Sequence, residues 1–293
     1  VDVVREWIRA APVAGAWPVR LDRGTSGGYT RRGDRVRDEK TVSPYDAPEL
    51  YDLVFEGLDF DVAFWNRVAR GAGGPVLEIG CGTGRILLRL VEAGFDAEGI
   101  DNSEAMIRRL RVKASERGLE VRASVADMRD FSLGCRFARA VCAFNSFAHC
   151  ETTDDQVRAL AAARRHLRPG GALVMHMSYP GPRYWSEPDG VPVLELEMVD
   201  PAGGRKVRLY DTRTKDPVAQ LQRSVTEYRA LEPDGRETLL HRGHTSQRWV
   251  YRFELELLFR AAGFARSEVF GGFERQPLTL PDEQMVAWAW TES

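Results

Sequence analysis

The sequence predicts an α/β fold: a doubly wound, mostly parallel sheet with an antiparallel β-sheet inserted late in the chain. Three observations predict it. First, the apolar run Val76-Leu77-Glu78-Ile79 leads into glycines at alternate positions, Gly80, Gly82 and Gly84, and out into Ile86 to Val91, which carries a helical apolar stripe. Second, from Ala97 to Ser178 short apolar strands alternate with amphipathic helices, the pattern of parallel strand–helix units. Third, residues 190–250 change to long strands around Gly203-Gly204 and Pro233-Asp234-Gly235, the pattern of hairpins.

Composition narrows the function classes. A chain of 293 residues suffices for one large α/β domain with an insertion, or for two domains. Its formal net charge of −2 supplies no basic field for nucleic acid. No apolar run approaches the roughly 20 residues of a membrane helix, and Val1 to Ala10 lacks a signal-peptide core. The four cysteines, Cys81, Cys135, Cys142 and Cys150, form no C-x-x-C pair and read as reduced thiols, so a cytoplasmic protein is expected. His241 and His244 have no third ligand at metal spacing, so no metal site is expected.

Residues 1–42 read as an N-terminal arm, mobile or folding over substrate as a lid. An aromatic-rich helical lead-in follows, with Tyr45-Asp46, Tyr51-Asp52 and Asp59-Phe60-Asp61. The core is expected over 43–189. At the glycine turn a ligand must approach bare backbone. The spacing is G-x-G-x-G with Glu78 two residues ahead, rather than the G-x-G-x-x-G of a dinucleotide loop. A carboxylate there suits a ligand with ammonium and sulfonium charges better than a pyrophosphate. The second strand ends in Asp101, 21 residues beyond Gly80, where an acid can accept from both hydroxyls of a ribose. Ser103 reads as the N-cap of a helix from Ala105 to Arg117. The third strand, Val121 to Val125, runs into Asp127-Met128, and the fourth, Ala138 to Phe144, into Asn145-Ser146-Phe147-Ala148-His149. A helix from Thr153 to Leu167, containing a structural His166, stops at the turn Arg168-Pro169-Gly170-Gly171. The fifth strand, Ala172 to Ser178, leads to Tyr179 and Trp185, candidate substrate walls. The insertion, 190–250, carries polar residues on both faces, which suits a wet substrate wall or a homodimer contact more than a core. Residues 251–293 supply a helix, Phe253 to Ala262, and two closing strands, Ala265 to Phe270 and Gln284 to Trp290.

The glycine turn with its acid resembles motif I of the class I S-adenosylmethionine-dependent methyltransferases. The run Asp127 to Gly134 resembles the aminosugar N,N-dimethyltransferases of antibiotic pathways. The resemblance extends from Tyr45 to Trp290 and implies a seven-stranded Rossmann-like sheet closed by an antiparallel pair. It implies S-adenosylmethionine as cofactor, S-adenosylhomocysteine as product, and a small-molecule acceptor. It places Tyr51, Glu78, Gly80, Cys81, Gly82, Gly84, Asp101, Asn102, Asp127, Met128 and Phe144 at the cofactor, with Asp127 and Met128 on the adenine. Asn145, His149, Tyr179 and Trp185 fall on the acceptor side, and His149 and Tyr51 are the catalytic candidates. Enzymes of this superfamily that methylate nucleobase amino groups carry [ND]-P-P-[YF] after strand four. Asn145-Ser146-Phe147 lacks the prolines, so nucleic-acid bases are not the expected acceptor. An amine nitrogen is the first expectation. An oxygen acceptor with His149 as base is the second, and binding of S-adenosylmethionine without turnover is the third.

Overall fold

The computed structural model describes residues 42–201, 203–279 and 284–293. The N-terminal arm expected over 1–42 lies, apart from Val42, outside the described residues. The parent sheet has seven strands: β1 (Val76–Ile79), β2 (Ala97–Asp101), β3 (Arg122–Val125), β4 (Phe137–Cys142), β5 (Leu167–Ser178), β10 (Arg266–Phe270) and β11 (Gln284–Trp290). Their order is β10-β11-β5-β4-β1-β2-β3. The first five strands pair in parallel, while β11 runs antiparallel to both β5 and β10. The closing pair expected from the resemblance is therefore present.

Helices cover both faces, as a parallel sheet requires. On one side lie α2 (Val62–Arg70), α3 (Leu87–Glu92) and α4 (Glu104–Glu116), where Trp65, Leu87, Leu88 and Ile107 pack on Val76, Val141 and Val174. On the other lie α5 (Thr153–Arg165) and α7 (Arg252–Ala261), where Leu160, Leu255 and Phe259 pack on Leu77, Leu173 and Met175. Every residue of β1 is buried, which is why its sequence reads as a continuous run rather than an alternation. The expected turn at Arg168 to Gly171 is absorbed into a longer β5. The ladder with β4 shifts register between Phe137 and Arg139, and Gly170 takes a left-handed φ of 69°.

The insertion is one four-stranded antiparallel sheet, β6 (Pro192–Val199), β7 (Lys206–Asp216), β8 (Leu221–Leu231) and β9 (Glu237–Arg248), in sequence order. Part of it is a core after all. Val207, Leu209 and Tyr228 pack on Val54 of helix α1 (Pro48–Phe55). The inward positions of β8 mix Ser224 and Thr226 with Tyr228 and Ala230, so the alternation that would have announced a buried face is masked.

Before α1 the chain is strapped across β9. His244 N–H donates to the Val42 carbonyl at 2.8 Å, and His241 Nε2 bonds the Ser43 carbonyl at 2.9 Å. Only glycine fits beneath this crossing, because a Cβ on Gly243 would lie 2.2 Å from Pro44 N. The crossing delivers Tyr45, in the 3-10 turn Pro44–Asp46, to the carboxyl end of the parent sheet. A short helix, α6 (Pro182–Ser186), links β5 to the insertion.

Candidate functional site

In an open α/β sheet the chemistry sits outside the carboxyl ends of the strands. After β1 the chain turns through Gly80, Gly82 and Gly84 with φ of 74°, 54° and 88°. A Cβ on Gly82 would meet nothing within 4 Å, so bare backbone faces open space there. On Gly80 it would strike Ser146 at 2.6 Å, and on Gly84 it would strike Leu88 at 2.9 Å, so those two glycines are required by packing. Cys81 is buried against Gly99 and Leu87 of the fold, and burial holds its thiol well above the ordinary value.

Two acids flank the turn. Asp101, at the end of β2, accepts from the Gly82 N–H on Oδ2 and the Ser103 N–H on Oδ1, each at 2.8 Å. Asn102 is the residue between that acid and the Ser103 cap of α4. Glu78 is 3% exposed, and its Oε2 has no partner among the described residues. Burial pushes its pKa up to about 8, against the nearby charge of Arg85 and the Leu87 N–H that donates to it. This region thus holds an unmatched buried acceptor, Glu78 Oε2, beside a left-handed glycine loop.

The lead-in is bolted to this turn by residues that local pattern did not assign. Asp52 accepts from Thr83 Oγ1 at 2.6 Å, Arg109 Nε at 2.7 Å and Lys113 Nζ at 2.9 Å, which fixes α1 and so its neighbour Tyr51. Asp61 takes both forks of Arg85, at 2.6 and 2.8 Å, and the Trp65 indole N–H. Burial raises the Asp61 pKa, but its bonds to Arg85 outweigh that and hold it below the ordinary value. Arg85 lies over the Phe144 ring, 5.2 Å from its centroid, and Phe144 contacts Phe55 and Phe60. The signal for Arg85 was its place directly after the third glycine.

Past β4, Phe144 and Asn145 both adopt left-handed backbone, φ 52° and 66°. Two such non-glycine residues in a row are strained and persist only where surroundings hold them. Asn145 Nδ2 donates to Ser178 Oγ, and Asn145 N–H donates to the His176 carbonyl, tying the loop to β5.

Residues from three distant parts of the chain then meet. His149 Nε2 lies 2.8 Å from the Tyr45 hydroxyl and 3.4 Å from Gln247 Nε2. The Ser246 backbone also bonds the ring, and in the tautomer protonated on Nδ1 the Tyr45 hydroxyl donates to Nε2. Burial depresses the His149 pKa, so the ring is neutral near pH 7. The Tyr45 ring packs edge-on against Tyr51, 5.9 Å between centroids.

The remaining candidates are placed differently. Met128 reaches the Gly80 turn, with its Cε 3.9 Å from a Cβ built there. Asp127 is already clamped by Arg129, whose side chain and N–H bond it at 2.6–3.0 Å and hold its pKa low. Tyr179 packs against Tyr251, and Trp185, 41% exposed, joins Tyr184 and Trp249 in a second aromatic group beside α6. His166 stacks on Phe131 and bonds Ala162 and Leu133 backbone, a structural arrangement as expected. His176, 6% exposed and with neither ring nitrogen bonded among the described residues, lies between Phe60 and Phe273. Among the described residues no helix is long and apolar enough to cross a membrane.

Residues 76–171 match a family described as methyltransferase domain. The chain is 28% identical over 249 residues to the cypemycin N-terminal methyltransferase of a Streptomyces species, covering 83% of this chain and 96% of that one. It is 28% identical over 231 residues to the dTDP-3-amino-3,6-dideoxy-alpha-D-glucopyranose N,N-dimethyltransferase of Streptomyces fradiae, covering 76% and 86%. Among solved structures it is similar to CalS10, an amino pentose methyltransferase from Micromonospora echinaspora with S-adenosylmethionine bound. There the TM-score is 0.64 at 25% identity, covering 83% of this chain and 97% of that one. A strand–glycine–helix turn at the head of a sheet with this strand order, the methyltransferase domain over residues 76–171 and these relatives identify an S-adenosylmethionine-dependent methyltransferase, similar to the class I enzymes.

Proposed function

We propose that this enzyme methylates an amine nitrogen of a small-molecule acceptor. The residues at the glycine turn fit the cofactor. Glu78 Oε2, buried and unmatched, would take the ammonium of its methionine end. Asp101, with an oxygen on each side of the turn bonded to only one N–H, has lone pairs left for the ribose hydroxyls. Gly82 leaves the close approach open, Met128 would flank the adenine, and Tyr51 with Phe144 would border the methyl. Asp127 would meet the adenine amino group only with Arg129 sharing its carboxylate. When bound, S-adenosylmethionine supplies a methyl group activated on a sulfonium sulfur.

The protein then has to bind, align and accept a proton. Alignment of a bound nucleophile contributes about 7–11 kcal/mol by itself. The observation that carries the amine reading is the neutral Tyr45–His149 pair beside Tyr51. An amine attacks as its free base and afterwards sheds one proton. The Tyr45 oxygen is placed to receive it while passing its own proton to His149 Nε2. The pair is too feeble a base to be required before attack, and an amine does not require one. Asn145 and the aromatic rings would shape the acceptor side. The relatives support this reading, since the two curated ones are named for an N-terminal and an aminosugar nitrogen.

The test is incubation with isotopically labelled S-adenosylmethionine and a panel of amines, aminosugars, phenols and carboxylates, read by mass spectrometry. Label on nitrogen supports the proposal. Label confined to phenol or carboxylate oxygen refutes it and makes His149 a base for an oxygen nucleophile.

A further inference from the structure

Near the carboxyl end of β5 a titratable side chain is buried without a partner. His176 is 6% exposed, and neither Nδ1 nor Nε2 is bonded among the described residues. A neutral imidazole carries one N–H and one bare nitrogen, so a donor and an acceptor are both buried unmet, which is costly. The rings beside it are more open than it is. Phe60, Phe144 and Phe273 are half-buried. Phe273 lies 4.9 Å and Phe60 6.2 Å from the imidazole, and Phe144 lies 6.4 Å from Phe60, centroid to centroid. The same run of rings reaches the Tyr45–His149 pair. Phe144 is 5.5 Å from Phe55, Phe55 is 4.5 Å from Tyr51, and Tyr51 is 5.9 Å from Tyr45. Strand register brings in Glu78. Glu78 pairs with Val141 and Val141 with Val174, so His176, two residues beyond Val174, shares the sheet face of Glu78 across β4. The charges of Asp61 and Arg85 act on both Glu78 and His176.

We infer that His176 holds the carboxylate of the cofactor's methionine end, on the sheet face where Glu78 takes the ammonium. The two groups sit on one carbon of that ligand, so the partner of one belongs near the partner of the other. Arg85 is spent: both its terminal nitrogens go to Asp61, and one of them also to the Leu58 carbonyl. Asp61 is filled in turn by Arg85 and the Trp65 indole N–H, so it does not compete for the imidazole. The His176 N–H is uncommitted, and a carboxylate accepting from it satisfies a buried donor through a charge-assisted bond. Phe60 and Phe273 keep the surroundings of that bond apolar, which strengthens it. This rests on the placement of the ammonium at Glu78 and is independent of which atom of the acceptor is methylated.

Two ligands isolate the contact: S-adenosylhomocysteine and decarboxylated S-adenosylhomocysteine, which keeps the nucleoside, the sulfur and the ammonium. Binding of each to the full chain is measured by calorimetry. Wild type should bind S-adenosylhomocysteine at least about tenfold tighter than the decarboxylated ligand. His176→Phe should lose at least about tenfold for S-adenosylhomocysteine and less than about threefold for the decarboxylated ligand. The retained affinity for the second ligand also shows that the variant is folded. His176→Gln, which keeps an N–H donor, should recover part of the loss. In wild type the His176 imidazole signals in NMR spectra should move with S-adenosylhomocysteine and much less with the decarboxylated ligand, a readout that needs no folded Phe variant. Equal wild-type affinities, an equal loss for both ligands in His176→Phe, an undiminished preference in that variant, or His176 signals indifferent to the carboxylate overturns the inference. Glu78→Gln tests the reading beneath it. That variant should weaken both ligands and keep the preference between them; unchanged affinities for both would remove the ammonium from Glu78, a failure distinct from any seen in the His176 variants.

Discussion

Replacing Glu78 by Gln removes an ionisable group from a place where ionisation is costly and leaves its shape almost unchanged. The carboxyl is 3% exposed with one oxygen unmatched, and burial raises its pKa from 4.5 to about 8. The sign follows from linkage. Below about pH 4.5 the group is protonated in folded and unfolded chain alike, and the favourable contribution of the folded state's tighter proton is fully present. Between pH 4.5 and 8 the unfolded chain ionises while the folded one keeps its proton, so stability drains away at about 1.4 kcal/mol per pH unit. Relative to Glu78→Gln, the cofactor-free wild type should lose about 3 kcal/mol by pH 7 and about 5 kcal/mol by pH 8. Urea unfolding of both proteins at pH 5, 6, 7 and 8 reads this directly, because the difference in stability should widen with pH. The same substitution should weaken S-adenosylmethionine binding about tenfold or more, since an ionised partner for the ammonium is lost. A stability difference that stays constant across this pH range would refute the account of a buried neutral carboxyl awaiting a cation.

Asp101→Ala removes the acceptor for the Gly82 and Ser103 N–H groups as well as the proposed ribose contacts. At about 1.5–3 kcal/mol per charged hydrogen bond, calorimetry should show at least a tenfold loss of cofactor affinity, and an unchanged affinity in a folded variant would clear Asp101 of that role. Burial holds the His149 pKa below 6.5, so the acidic limb of the wild-type rate should fall below pH 6.5 rather than at it. His149→Ala and Tyr45→Phe should each cost about tenfold to hundredfold in turnover and alter that limb; pH–rate profiles identical to wild type would leave the pair structural. His176, neutral with a pKa depressed to about 4 by burial, takes up no proton between pH 6.5 and 4 while the unfolded chain does. Wild-type stability should therefore fall by about 3 kcal/mol over that window from this residue, and urea unfolding of His176→Phe should show a shallower decline. Equal slopes for the two proteins would show that the imidazole is not held neutral.

The strand–turn–helix at Val76 to Val91, the acids Glu78 and Asp101 and the seven parent strands could all be read from the sequence. Each depends on short-range pattern: apolar runs of strand length, glycines where the backbone turns left-handed, an N-cap at Ser103. What followed from register and chain crossing could not be read. Tyr45 and His149 are separated by 104 residues and meet because the lead-in passes over β9 at Gly243, where no side chain fits. Gln247 joins them only through the position of β9. Arg129 sits two residues from Asp127, yet spacing did not reveal that its side chain would fold back onto the carboxylate. The inserted sheet read as polar on both faces, and only its pairing showed Tyr228 packed on α1. Local sequence determined the fold and the cofactor turn, because periodicity and backbone φ are properties of neighbouring residues. Tertiary structure decided the meeting of Tyr45, His149 and Gln247 and the packing of the inserted sheet on α1, because burial and hydrogen-bond partners are properties of what other segments bring to the same place.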